Sequence, residues 1–101
     1  MDKRIDLIIN NLKEVYDPEI PVNIYDLGLI YNIDIDKNNT ANIVMTLTAP
    51  GCPVVDILMD DVTRAARSVK GVQDVNVDLT FDPPWDKSMM SEEARLELGF
   101  F

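Results

Sequence analysis

The 101-residue chain carries 18 acidic against 9 basic side chains and no histidine, a formal net charge of -9 at pH 7. That balance repels polyphosphate backbones and anionic lipid surfaces, which argues against nucleic acid and membranes as partners. With 47% hydrophobic and 27% charged residues, 4 Gly and 6 Pro, the composition is that of a folded protein, and the length fits one domain over 1–101. No stretch approaches the ~20 apolar residues of a membrane span. The start Met1-Asp2-Lys3-Arg4 opens an amphipathic stretch and not a signal-type apolar run, so the cytoplasm is the expected compartment. Cys52 is the sole cysteine, and a reducing compartment would keep it free for metal or thiol chemistry.

From Lys3 to Tyr16, apolar Ile5, Ile8, Ile9, Leu12, Val15 and Tyr16 recur at spacings of three and four, with Asp2 placed to cap the start. The spacing predicts a core-facing helix that ends before Pro18, since Asp17 precedes a proline. Asp17-Pro18-Glu19-Ile20-Pro21 is a stiff connector with two acids, and Asn23 to Gly28 predicts a turn. Leu29 to Asp36 alternates as a strand, with Leu29, Tyr31, Ile33 and Ile35 on one side. After a turn at Lys37-Asn38-Asn39-Thr40, a second strand sets Ile43, Met45 and Leu47 opposite Val44, Thr46 and Thr48, so the pair reads as an antiparallel hairpin.

The next helix has Pro53 where a missing N–H costs nothing and Gly71 just past its end, where a left-handed residue is wanted. Val55, Leu58, Val62, Ala65, Ala66 and Val69 form its apolar stripe; acids come early and Arg64, Arg67 and Lys70 late, as the helix dipole favours. Val75, Val77, Leu79 and Phe81 alternate with Asp74, Asn76, Asp78 and Thr80 in a third strand that Asp82-Pro83-Pro84-Trp85 stops. Ser91-Glu92-Glu93 begins a short helix that ends at Gly99. The order α-β-β-α-β-α predicts a two-layer α+β sandwich, a three-stranded mixed sheet with its helices on one face.

Cys52, between Gly51 and Pro53, is expected to be the N-cap of the central helix at the end of the second strand, an exposed and electropositive turn. Gly51 would let a ligand approach the backbone. A simple packing cysteine is the competing reading. A helix dipole of ~0.3–1 kcal/mol is too weak to ionise most of a thiol whose ordinary pKa is ~8.5. With no histidine in the chain and no Lys or Arg within ten residues of Cys52, a Cys–His nucleophile is excluded. A soft metal displaces the thiol proton on coordination, so metal or cluster contact is favoured over covalent catalysis.

One cysteine cannot complete a four-thiolate site, so any cluster would be labile or shared with carboxylates, an external thiol or a second subunit. Asp17 and Glu19 are the candidate assisting groups, set against a plain role in helix termination and solvated surface. Thr48 is a candidate lining residue of the same pocket. Trp85 is either an exposed docking element or a cover over the core, and the second is favoured.

Four segments in this order, Asp17-Pro18-Glu19-Ile20-Pro21-Val22, Asp26-Leu27-Gly28-Leu29-Ile30-Tyr31, Thr46-Leu47-Thr48-Ala49-Pro50-Gly51-Cys52-Pro53 and Phe81-Asp82-Pro83-Pro84-Trp85, resemble the SufT/PaaD-like family of metal-sulfur cluster biosynthesis proteins. The resemblance implies an accessory role in assembling iron-sulfur clusters or delivering them to apo-proteins. The family's cysteine falls on Cys52 and its acidic pocket on Asp17 and Glu19, beside Ile20 and Thr48. It also implies transient iron or iron-sulfur cluster binding with nothing tightly held, and partners among the assembly machinery and its clients; a homodimer is left open. The alternative is a metal-free adaptor gripping clients or scaffold proteins. Gly51 stands where the eukaryotic branch of the family carries a histidine.

Overall fold

The computed structural model describes residues 3–17, 22–47 and 55–99. Its elements are α1 (Lys3–Leu12), β1 (Ile30–Ile35), β2 (Thr40–Met45), α2 (Val55–Arg67), β3 (Asp74–Leu79) and α3 (Glu92–Leu98), with one 3₁₀ turn at Lys87–Met89. The sheet runs β1-β2-β3, with β1 antiparallel and β2 to β3 parallel, a mixed sheet as expected. The parallel step follows from the α2 crossover, which returns the chain to the same end of the sheet before β3 begins.

Alternation in β2 buries Ala41, Ile43 and Met45 on one face. Ile8 and Leu12 of α1 and Leu58, Val62 and Ala66 of α2 bury against the same core, so these two helices cover that face. Each fully buried Ile or Leu is worth about 1.5–3 kcal/mol relative to exposure. The helices are also tied by Asn11, whose amide donates to the Ala65 carbonyl and to Ser68 Oγ, each at 2.9 Å. Helix α3 is capped as its sequence predicts: Ser91 Oγ accepts from the Ala94 N–H, and Gly99 closes the helix at φ 77°. It docks on the 22–27 turn, where Ser91 N–H donates to the Asp26 carbonyl at 2.8 Å and Ala94 is buried.

Several boundaries differ from the sequence reading. Helix α2 ends at Arg67, before Val69 and Lys70, and β3 ends at Leu79, leaving Phe81 outside the strand and exposed. Helix α1 ends at Leu12 and not at Tyr16, because residues 15–17 turn back to pair with 22–24. Strand β1 begins at Ile30 and carries a bulge: Ile30 faces Met45 and Asn32 faces Val44, leaving Tyr31 as the extra residue. Strand β2 ends at Met45, and the next residue, Thr46, is fully buried although simple alternation put it on the polar side. The helix start around Cys52 and Pro53 lies outside the described residues, as does the Val55 side chain.

Candidate functional site

The expected site sits where β2 ends, and a relay of main-chain hydrogen bonds builds that end of the sheet. Ile24 N–H donates to the Val15 carbonyl at 2.9 Å, Leu29 N–H to the Ile24 carbonyl at 3.1 Å, and Thr46 N–H to the Leu29 carbonyl at 2.8 Å. Tyr16 and Asn23 form an antiparallel bridge, and Asp17 N–H reaches the Val22 carbonyl at 3.5 Å. The arm carrying Asp17 is thereby fixed against the strand end from which the chain enters residues 48–54.

The turn inside this relay is set by its own side chains. Asn23 Oδ1 accepts the Asp26 N–H at 2.9 Å and its amide donates to Asp26 Oδ2 at 2.8 Å, while Gly28 closes the turn at φ 84°. Gly28 has a second reason to be glycine, since a Cβ there would meet the Met89 carbonyl carbon at 2.8 Å.

Asp17 is the described member of the expected ligand set: it is 8% exposed, a buried acid beside buried Val22. Glu19, Ile20, Thr48, Gly51 and Cys52 lie outside the described residues. Among the described residues, no three Cys, Asp or Glu side chains converge as a metal centre. Trp85 is half-buried against the core and donates Nε1–H to the Leu27 carbonyl at 2.7 Å, so it covers the turn. Tyr31 straps the same segment by donating its hydroxyl to the Pro83 carbonyl at 2.7 Å, with Met89 Sδ at 3.6 Å. Next to it, Ser88 donates to Asp86 through its hydroxyl at 2.6 Å and its N–H at 3.2 Å; the hydroxyl bond is the larger influence holding the Asp86 carboxyl below its ordinary pKa.

The sequence places Thr46 opposite Met45 and gives it no role. Its Oγ1 is buried with no hydrogen-bond partner among the described residues, at the root of the segment that leads to Cys52. An unsatisfied buried hydroxyl costs about 1–3 kcal/mol, and no local pattern in the sequence signals it. An open crevice of about 230 Å³ adjoins the Asp17 arm, with Asp26, Glu93 and Glu97 among its walls.

The family model described as "Iron-sulfur cluster assembly protein" matches residues 5–79. A Porphyromonas gingivalis protein named Fe-S protein maturation auxiliary factor is 59% identical over 92% of this chain and 89% of its own length. A Bacillus subtilis protein of the same description is 40% identical over 91% of this chain and 90% of its own. A Bacillus anthracis crystal structure, a domain of unknown function, superposes with a TM-score of 0.89 at 37% identity, covering 98% of this chain and 94% of that one. On the family match and these identities, the chain belongs to the iron-sulfur cluster assembly protein family.

Proposed function

We propose that this protein is an accessory factor in iron-sulfur protein maturation, one that takes iron or a cluster transiently and passes it to an apo-protein. Cys52 is the thiolate ligand in this reading, Asp17 and Glu19 assist, and Ile20, Thr48 and Gly51 line the pocket. The observation that supports it best is the main-chain relay from Asp17 through Ile24 and Leu29 to Thr46, because it holds the acidic arm at the strand end that leads to Cys52. The names of the relatives support the same role.

The cluster is cargo here and not a resident group. One thiolate from this chain leaves coordination positions for a donor or acceptor protein, which is what hand-over needs. The chain acts as one unit in the cytoplasm, with the assembly machinery on one side of the exchange and an apo-client on the other. None of the described helices is long and apolar enough to cross a membrane.

The test is activation of an apo-iron-sulfur enzyme by a loaded scaffold protein, with and without this chain under anaerobic conditions. Wild type should accelerate activation, and Cys52→Ala should remove the acceleration. Acceleration that survives Cys52→Ala would move the role to a metal-free adaptor.

A further inference from the structure

Strands β1 and β3 are the two sheet edges, and they are built differently. Asp36 donates its N–H to the Thr40 carbonyl at 3.1 Å. By the alternation of an antiparallel ladder, Asn32 and Asp34 then turn their main-chain groups toward β2, while Ile33 and Ile35 turn theirs outward. On β3, Asp74 Oδ1 already accepts the N–H of Val75 at 2.9 Å and lies 3.8 Å from Arg67. The start of that edge is occupied by its own side chain.

A groove with apolar side chains and the Asn32 position in its walls runs along the β1 edge. Ile5 and Ile9 of α1, with Tyr25, Ile30, Tyr31 and Ile33, bound about 210 Å³. Through Ile30 and Tyr31 it continues into a wider hollow of about 450 Å³ beside Pro83 and Met89. The other face of the sheet is open, and across its three strands it carries Asn32, Asp34, Asn42, Asn76 and Asp78 around Val44, with Asp36 at the corner. No strand position on that face is basic. Two cations on the helix side are engaged: Lys13 lies 5.6 Å from the Tyr25 ring centroid, and Arg4 bonds Asn39 Oδ1 and the Gly71 carbonyl.

We propose that the β1 edge receives an extended segment of a partner polypeptide in which apolar residues alternate with Lys or Arg. Its main chain pairs with Ile33 and Ile35, its apolar side chains enter the groove between α1 and β1, and its basic side chains lie over the open face beside Asp34. Alternation of side chains across a strand makes these two demands compatible in one segment. The same charges disfavour a second copy at this edge, because β1 against β1 would bring two Asp34-bearing faces together on chains of net charge -9. This interaction does not depend on metal at Cys52, so its failure would leave the delivery role standing.

The test titrates the metal-free chain into labelled peptides of alternating Val and Lys, of alternating Val and Glu, and of Val and Lys with N-methyl groups on alternate amides. The Val–Lys peptide should bind at least about tenfold more tightly than the Val–Glu peptide. N-methylation in one register should abolish binding while the other register is tolerated. Amide NMR shifts should centre on Ile30–Ile35 and on Ile5 and Ile9, and exposed Asp34→Lys should reverse the charge preference without loss of fold. Equal binding of both peptides, tolerance of N-methylation in both registers, shifts centred elsewhere, or self-association that Asp34→Lys alters would each overturn the proposal.

Discussion

The two ends of the sheet are held by different means. At the hairpin end, side chains reinforce the main-chain ladder: Arg4 bridges Asn39 Oδ1 at 2.9 Å and the Gly71 carbonyl at 2.8 Å, and the Asp36 carboxylate accepts from the N–H groups of Asn38 and Thr40. At the opposite end a main-chain relay through Val15, Ile24, Leu29 and Thr46 carries the ties, with side-chain braces from Asn23 to Asp26 and from Trp85 to Leu27, Gly28 admitted against Met89, and the Thr46 hydroxyl unpaired among the described residues. A main-chain relay makes no demand on the side chains it carries. Side chains can therefore vary at that end without dismantling these main-chain bonds.

This contrast is broken most severely at Gly28. Gly28→Ala forces a Cβ into the Met89 backbone at a positive φ and should destabilise the fold by about 3 kcal/mol in urea titration. A loss below about 1 kcal/mol would mean that the relay end is softer than described. At the hairpin end, Arg4→Ala removes two carbonyl contacts of a charged donor and should cost about 1–2 kcal/mol by the same measurement. Thr46→Val should go the other way, gaining about 1 kcal/mol by removing an unpaired hydroxyl at nearly constant volume. A loss there would reveal a partner for the hydroxyl.

The smallest effect is in acid. Hydrogen bonds, first from the Thr40 N–H, lower the Asp36 carboxyl below its ordinary value of 3.8. A lowered folded pKa gives stability that is present above the unfolded value and is lost as pH falls through the folded one. Wild type should therefore lose stability below about pH 4 more steeply than Asp36→Asn, with the two curves converging at the acid limit.

Much of the fold was legible because its signals are local. Ser91 and Gly99 bracket α3 by cap chemistry, Gly71 follows α2, and alternation marks all three strands. What sequence reading missed depends on contacts distant in the chain. Nothing near Val15 announces that it will pair with Ile24 and end α1 early, and nothing near Tyr31 marks it as a bulge, since both are settled by what lies across from them. Strict alternation puts Thr46 on the side of Val44, away from Met45, but β2 ends at Met45 and Thr46 is buried. At the site, Asp17 is legible as an acid beside a proline, and it is buried. Cys52 drew notice by being alone and at an expected helix start, whereas its geometry with Glu19 and Thr48 lies beyond the described residues.

The central claim, that this chain takes iron or a cluster through Cys52, is tested most directly by native mass spectrometry after anaerobic incubation with iron and sulfide. Wild type should gain a mass matching iron or an iron-sulfur cluster, on one chain or across two, and Cys52→Ala should remain at the metal-free mass. A wild-type chain that keeps its metal-free mass under every loading condition would contradict the claim.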